Sequence, residues 1–102
     1  MKLLLVAALG LLTVGPVYAD DAIVLFEKYK CYQCHADREA KTGPAYVDVA
    51  TAFRGKQKAV ATITSMIKKG VHGAGPWHMP PHPEISDADA RKMASYILSL
   101  KN

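Results

Sequence analysis

The sequence predicts a small all-α domain. Three observations carry this prediction. Apolar residues recur at helical spacing in several short segments, glycine and proline separate these segments, and no stretch alternates polar and apolar residues over the length of a strand. The chain has 102 residues, which is enough for one domain only. We therefore expect four or five short helices joined by tight loops.

The first segment of the chain is typical of an export signal. Lys2 precedes an apolar run, and small residues lead up to Ala19. The run is about a dozen residues long, whereas a helix that spans a membrane needs roughly 20. We expect a signal peptide at 1–19, cleaved after Ala19, and a mature domain at 20–102. The mature domain would then be periplasmic and would not be inserted in the membrane.

The first two helices are predicted from their ends as much as from their apolar faces. Residues 22–29 form the first, with Asp20 and Asp21 ahead of it as a cap and as partners of the helix dipole. Residues 46–53 form the second. Gly55 ends it, because glycine has no side chain to oppose a left-handed conformation after a helix.

The other two helices show stronger periodicity. Residues 58–69 are predicted as the third helix, with two lysines in its last turn and Gly70 just beyond. Ser86 caps the fourth, which carries a buried stripe at helical spacing: Ala90, Met93, Ala94, Ile97 and Leu98. Between them, residues 71–83 contain four prolines, so neither a helix nor a central strand is expected there.

The motif Cys31-Tyr32-Gln33-Cys34-His35 carries the clearest chemistry. Cysteines three apart lie on one side of a helical turn, from which two sulfurs can reach the two vinyl groups of a single porphyrin. His35 follows at once and can bind the iron from below as the proximal ligand. The spacing therefore predicts one haem c, attached covalently through Cys31 and Cys34.

Three other interpretations of the cysteine pair compete with haem attachment. A thioredoxin-like dithiol would lie in a βαβ pattern, and a zinc site would need a second pair of ligands, but the sequence contains neither. A structural disulfide would suit an oxidising compartment. A histidine directly after the second cysteine favours haem, and the export signal would deliver the motif to the compartment where c-type haem is assembled.

The second axial ligand is expected from the proline-rich loop. Met79 is followed by prolines that stiffen the chain, and Met/His ligation gives the higher reduction potential that suits an electron carrier. His78 is the rival ligand, with His72 and His82 close in sequence, and two histidine ligands would lower the potential. Trp77 either donates its indole N–H to a haem propionate or packs against the porphyrin.

The charge pattern gives no sign of a nucleic-acid partner. The formal net charge is +4, one unit of which comes from Lys2 in the signal segment. The lysines are spread along the chain and form no basic block. We expect a solvated surface and no nucleic-acid binding. A cationic face that steers an acidic redox partner is the alternative.

Several motifs together resemble those of one family, the small bacterial class I cytochromes c of the cytochrome c-551 type. The motifs are Cys31 to His35, Gly43-Pro44-Ala45-Tyr46, Ile67 to Gly70, Met79-Pro80-Pro81, and the helix that follows Ser86. The resemblance implies a class I cytochrome c fold wrapped around one haem, with His35 and Met79 as axial ligands. It also implies that the Pro44 carbonyl holds the ring N–H of His35, and that the first and last helices cross near Phe26 and Tyr96.

These observations lead to three functional hypotheses. The first is a monomeric, non-enzymatic carrier of single electrons that docks transiently with redox protein donors and acceptors. The second is a haem enzyme or gas sensor with a displaceable sixth ligand, and the third is a thiol protein without haem. The sequence contains no other cluster of acids, bases or nucleophiles, which favours the electron carrier.

Overall fold

A computed structural model describes residues 19–73 and 78–102 and confirms the all-α class. Its four helices are α1 (Ala19–Lys28), α2 (Tyr46–Phe53), α3 (Ala59–Lys69) and α4 (Asp87–Ser99). Three shorter elements accompany them: a 3₁₀ turn (Cys31–Gln33) and the two-residue strands β1 (Val71–His72) and β2 (His78–Met79). The expected signal segment as far as residue 18, and Trp77, lie outside the described residues.

Two helix starts differ from the prediction. Asp20 and Asp21 belong to the first turn of α1 and do not precede it as caps. Acidic side chains are stabilising in that position, because they face the positive end of the helix dipole. Helix α3 begins at Ala59, because Lys58 has a left-handed backbone with φ of 61°. A residue in that conformation cannot continue a right-handed helix.

The loop before α4 contains an antiparallel pair that the sequence does not predict. Val71 lies opposite Met79, and His72 lies opposite His78. The strands are short enough to end before Pro80, so no proline interrupts the pairing. This ladder gives the loop a fixed register without changing the fold class.

Helix α4 forms the centre of the fold and packs against α1, α2 and α3. The amide of Asp89 donates a hydrogen bond of 3.1 Å to the Ser86 hydroxyl, which confirms the expected cap. The buried face of α4 consists of Ala90, Met93, Ala94 and Ile97. No helix in the described part of the chain has the length and apolar character to cross a membrane.

Phe26 of α1 packs against three tyrosines and forms the centre of an aromatic cluster. It is 1% exposed. Its ring centroid lies 5.4 Å from that of Tyr32, 4.9 Å from that of Tyr46 and 5.6 Å from that of Tyr96. These tyrosines come from the 3₁₀ turn, α2 and α4, so one side chain joins three elements to α1. Phe26 and Tyr96 therefore meet where the first and last helices pack, as the resemblance implies.

Candidate haem-binding site

The cysteine motif forms one tight turn. The amides of Cys34 and His35 both donate to the Cys31 carbonyl, at 3.1 and 3.0 Å. Lys30 enters the turn with a left-handed backbone, φ of 63°. Cys31 is half-buried, Cys34 is exposed, and both are free thiols. Burial raises the pKa of the Cys31 thiol.

The ring of His35 is fixed by a hydrogen bond to the backbone. Its Nδ1 lies 2.7 Å from the carbonyl oxygen of Pro44. A carbonyl only accepts, so Nδ1 carries the proton and donates. Nε2 is then left with a lone pair, which is the form of imidazole that binds metal ions. The ring also stacks on Tyr46, with centroids 4.8 Å apart and planes inclined by 18°.

Gly43 leaves the space in which the His35 ring lies. A Cβ built on Gly43 would stand 2.5 Å from Cε1 of His35 and 2.9 Å from each ring nitrogen. Any side chain there would displace the imidazole. The Gly43 amide also donates to the Cys34 carbonyl at 2.7 Å, which closes the loop over the motif.

Two hydrogen bonds join the residues after His35 to the start of α2. The amides of Tyr46 and Val47, which open α2, donate to the carbonyls of Ala36 and Asp37, each at 2.9 Å. These bonds satisfy N–H groups that a helix start leaves without partners. The start of α2 and the cysteine motif therefore fix each other's position.

The carboxylate of Asp37 joins the motif to α4. One oxygen accepts from the Tyr32 hydroxyl at 3.1 Å, and the other accepts from the Tyr96 hydroxyl at 2.5 Å. Burial, followed by the bond to this carboxylate, raises the pKa of Tyr96 to about 12. Burial and the nearby carboxylate shift the pKa of Tyr32 in the same direction.

Met79 and His78 lie on opposite faces of β2. The Met79 side chain is half-buried and packs on the hydrophobic core, whereas His78 is exposed. This alternation follows from the period of two along a strand. Gly70 approaches the backbone here, since a Cβ on it would stand 2.5 Å from the Met79 carbonyl oxygen. Its φ of +80° and ψ of 175° define a conformation that is essentially restricted to glycine.

The donor atoms of these residues fit a haem better than a bare ion. These residues offer two thiols at haem-attachment spacing, the Nε2 of His35 and the thioether of Met79. Within the described ranges, no group of three or more His, Cys, Asp or Glu side chains converges on one point.

Comparison with known proteins gives the family. The family model described as cytochrome c oxidase, cbb3-type, subunit III matches residues 19–97. Cytochrome c-551 of Pseudomonas aeruginosa is 41% identical over 100 residues, which are 97% of this chain and 95% of that protein. Cytochrome c-552 of Hydrogenobacter thermophilus is 39% identical over 102 residues, 98% of each chain.

The chain belongs to the cytochrome c family. Its fold is that of the class I members, which confirms the fold implied by the resemblance. The crystal structure of Nitrosomonas europaea cytochrome c552 superposes with a TM-score of 0.73 at 38% identity, over 78% of this chain and 99% of that one. The class 1 cytochrome MtoD of Sideroxydans lithotrophicus gives a TM-score of 0.67 at 27% identity, over 78% of this chain and 92% of that one.

The family supports a covalently bound haem c and electron transfer. The similar proteins are small electron-carrier cytochromes, and electron carriers require redox partners. The comparisons do not support the alternative of a haem enzyme or gas sensor.

Sequence reasoning overlooks three residues that shape this site of the cytochrome. Gly43 and Gly70 allow close approach to His35 and Met79, and Asp37 bridges two tyrosines. Gly43 precedes a proline and Gly70 follows a helix, and either position explains a glycine by itself. The sequence therefore gives no separate sign that these glycines also allow the close approaches to His35 and Met79. Asp37 has no local signal, because Tyr96 is 59 residues away.

The close approach at Gly70 predicts a large cost for an added methyl group. In Gly70→Ala the Cβ would collide with backbone that cannot move aside easily, and overpacking typically costs about 1–3 kcal/mol beyond the cost of the positive φ. Gly55→Ala is the control, because Gly55 also has a positive φ of +84° but nothing lies within 4 Å of its Cβ position. Urea unfolding of both variants measures the difference. Equal losses of unfolding free energy would show that the backbone at Met79 yields.

The raised pKa of Tyr96 predicts a loss of stability at high pH. The unfolded chain loses the tyrosine proton near pH 10 and the folded protein near pH 12, so this contribution is complete below pH about 10 and disappears towards pH about 12. Tyr96→Phe should lower the unfolding free energy at neutral pH by about 1 kcal/mol. The variant should also lose less unfolding free energy than the parent between pH about 10 and about 12.

Tyr29→Phe, at another half-buried tyrosine on the core, is the control for that measurement. Urea unfolding at a series of pH values gives both curves. If Tyr96→Phe and the parent protein lose stability in parallel through this range, the Asp37 contact does not retain the proton of Tyr96.

Proposed function

We propose that the mature cytochrome is a periplasmic carrier of single electrons that binds one haem c. Cys31 and Cys34 form the two thioethers, and His35 and Met79 are the axial ligands of the iron. The observation that carries this proposal is the orientation of His35, whose Nδ1 is engaged 2.7 Å from Pro44 O and whose Nε2 is left to bind. When bound, the haem supplies a reversible one-electron change at its iron.

The residues around His35 act by holding its ring still. The Pro44 carbonyl accepts a hydrogen bond from the Nδ1–H of His35, which raises the basicity of the ring. Gly43 and Tyr46 confine the imidazole from two sides. A ligand held in this way needs little rearrangement when the iron changes its charge, which favours fast electron transfer in both directions.

The faces of β2 favour Met79 over His78 as the second axial ligand. The Met79 side chain lies on the core side and His78 on the solvent side, so one strand cannot present both to the interior. The prolines that follow Met79 limit its movement. A thioether ligand opposite a histidine also raises the reduction potential. Trp77, outside the described residues, stays a predicted contact of a propionate or of the porphyrin.

A carrier needs no open coordination position. With His35 and Met79 both bound, the protein fills both axial sites, so a substrate or gas would have to displace a side chain. This arrangement distinguishes the carrier from a haem enzyme or sensor. The partners of such a protein are redox proteins that dock transiently over small surfaces, with the cytochrome as a monomer.

Export and cleavage after Ala19 fit the start of α1. The cut would leave Asp20 and Asp21 in the first turn of the mature helix, where acidic residues are stabilised by the helix dipole. The proposed signal peptide is residues 1–19, and the mature chain is 20–102.

Carbon monoxide binding to the reduced cytochrome tests the ligand assignment and the carrier function together. We expect one covalent haem c per chain, a one-electron Nernst curve, and no rapid binding of carbon monoxide to the parent protein. Met79→Ala should open the sixth position and bind carbon monoxide within the mixing time, and His78→Ala should leave it closed.

Two results would overturn these assignments. Rapid binding by the parent protein would favour an enzyme or sensor. Binding by His78→Ala, with Met79→Ala inert, would make His78 the ligand.

A further inference from the structure

His72 and His78 form a pair across the two short strands. They lie directly opposite each other in the β1–β2 register, and both are exposed. Their ring centroids are 5.7 Å apart with planes inclined by 22°. Val71 and Met79, the other opposed pair, are half-buried, so the histidines occupy the outer face of the ladder.

These two rings differ from the other histidines in their hydrogen bonding. Nδ1 of His35 lies 2.7 Å from Pro44 O, and Nδ1 of His82 lies 3.1 Å from a carboxylate oxygen of Glu84. Within residues 19–73 and 78–102, the histidine side-chain hydrogen bonds are those of His35 and His82, and none involves His72 or His78. No side chain of the described residues therefore occupies their ring nitrogens.

We propose that His72 and His78 bind one divalent cation of the zinc class, separately from the haem. Two imidazole nitrogens at about 2.0–2.1 Å from a tetrahedral Zn²⁺ would place their ring centroids roughly 5 Å apart. The observed 5.7 Å is close to this value, and the two rings, whose planes are now inclined by 22°, would rotate about their side-chain bonds to direct one nitrogen each at the ion.

The backbone around the pair limits its freedom to separate. Gly70 lies against the backbone at 79–81, with its Cβ position 2.9 Å from Pro81 N. The amide of His82 donates to the Lys68 carbonyl at 3.0 Å, which ties the end of the loop to α3. A pair already held in register loses less entropy when it binds an ion than two residues in a free loop would.

The site would bind an exchangeable ion. Two imidazoles supply two ligands, and water would complete the coordination sphere, unlike a structural zinc site with four protein ligands. Imidazole suits Zn²⁺, Cu²⁺ and Ni²⁺, whereas Mg²⁺ and Ca²⁺ prefer oxygen ligands. The site should therefore bind Zn²⁺ and should not bind Mg²⁺ or Ca²⁺.

Calorimetric titration of the oxidised holoprotein with ZnCl₂ tests the site. We expect one ion per chain and no heat with MgCl₂. His72→Gln should weaken Zn²⁺ binding at least roughly tenfold, since loss of outer-shell partners alone costs about 10–100-fold in metal affinity. His82→Gln, in the same loop but paired with Glu84, is the matched control and should bind as the parent does.

Ring resonances of the histidines in the reduced, diamagnetic holoprotein give a second measurement that needs no variant. Saturating Zn²⁺ should shift the rings of His72 and His78 and leave that of His82 in place. The proposal is overturned if the parent protein binds no stoichiometric ion, if His72→Gln binds as tightly as the parent, or if His82 shifts in place of the pair. Because the haem spectrum reports on His35 and Met79 separately, failure here leaves the electron-carrier function intact.

Discussion

The hydrogen bond from His35 Nδ1 to the Pro44 carbonyl is the constraint on which the rest of the site depends. It makes Nδ1 the protonated nitrogen and leaves Nε2 free to bind. The bond forms only if the chain from Ala36 to Ala45 folds back over the motif. That return is possible because Gly43 has no side chain to strike the ring. The backbone of α2, bonded to the carbonyls that follow His35, then completes the enclosure.

The aromatic cluster extends this local constraint to the whole fold. Phe26 contacts tyrosines from the motif, α2 and α4, and Asp37 joins two of those tyrosines by their hydroxyls. A domain of this size buries too little apolar surface to be robust by packing alone. A covalently bound haem c would supplement that core. The tyrosines would connect the haem-attachment motif to α1 and α4.

Features with a local cause could be predicted from the sequence. The bounds of α2, the Ser86 cap and the buried stripe of α4 follow from periodicity and capping, and the cysteine motif from covalent chemistry. Features that depend on distant contacts could not be predicted. A strand of two residues is too short to show periodicity. Lysine rarely adopts a left-handed backbone, so the conformation of Lys58 is not expected from its residue type. Asp37 contacts Tyr96 only once the chain has folded.

Nitrogen-15 NMR of the reduced, histidine-labelled cytochrome tests the orientation of His35 most directly. We expect Nδ1 to carry a slowly exchanging proton, with a scalar coupling across the hydrogen bond to the Pro44 carbonyl, and Nε2 to carry none. A proton on Nε2 would contradict this arrangement, because that nitrogen could not then bind the iron. A freely exchanging Nδ1 proton would show that the Pro44 carbonyl does not hold the ring.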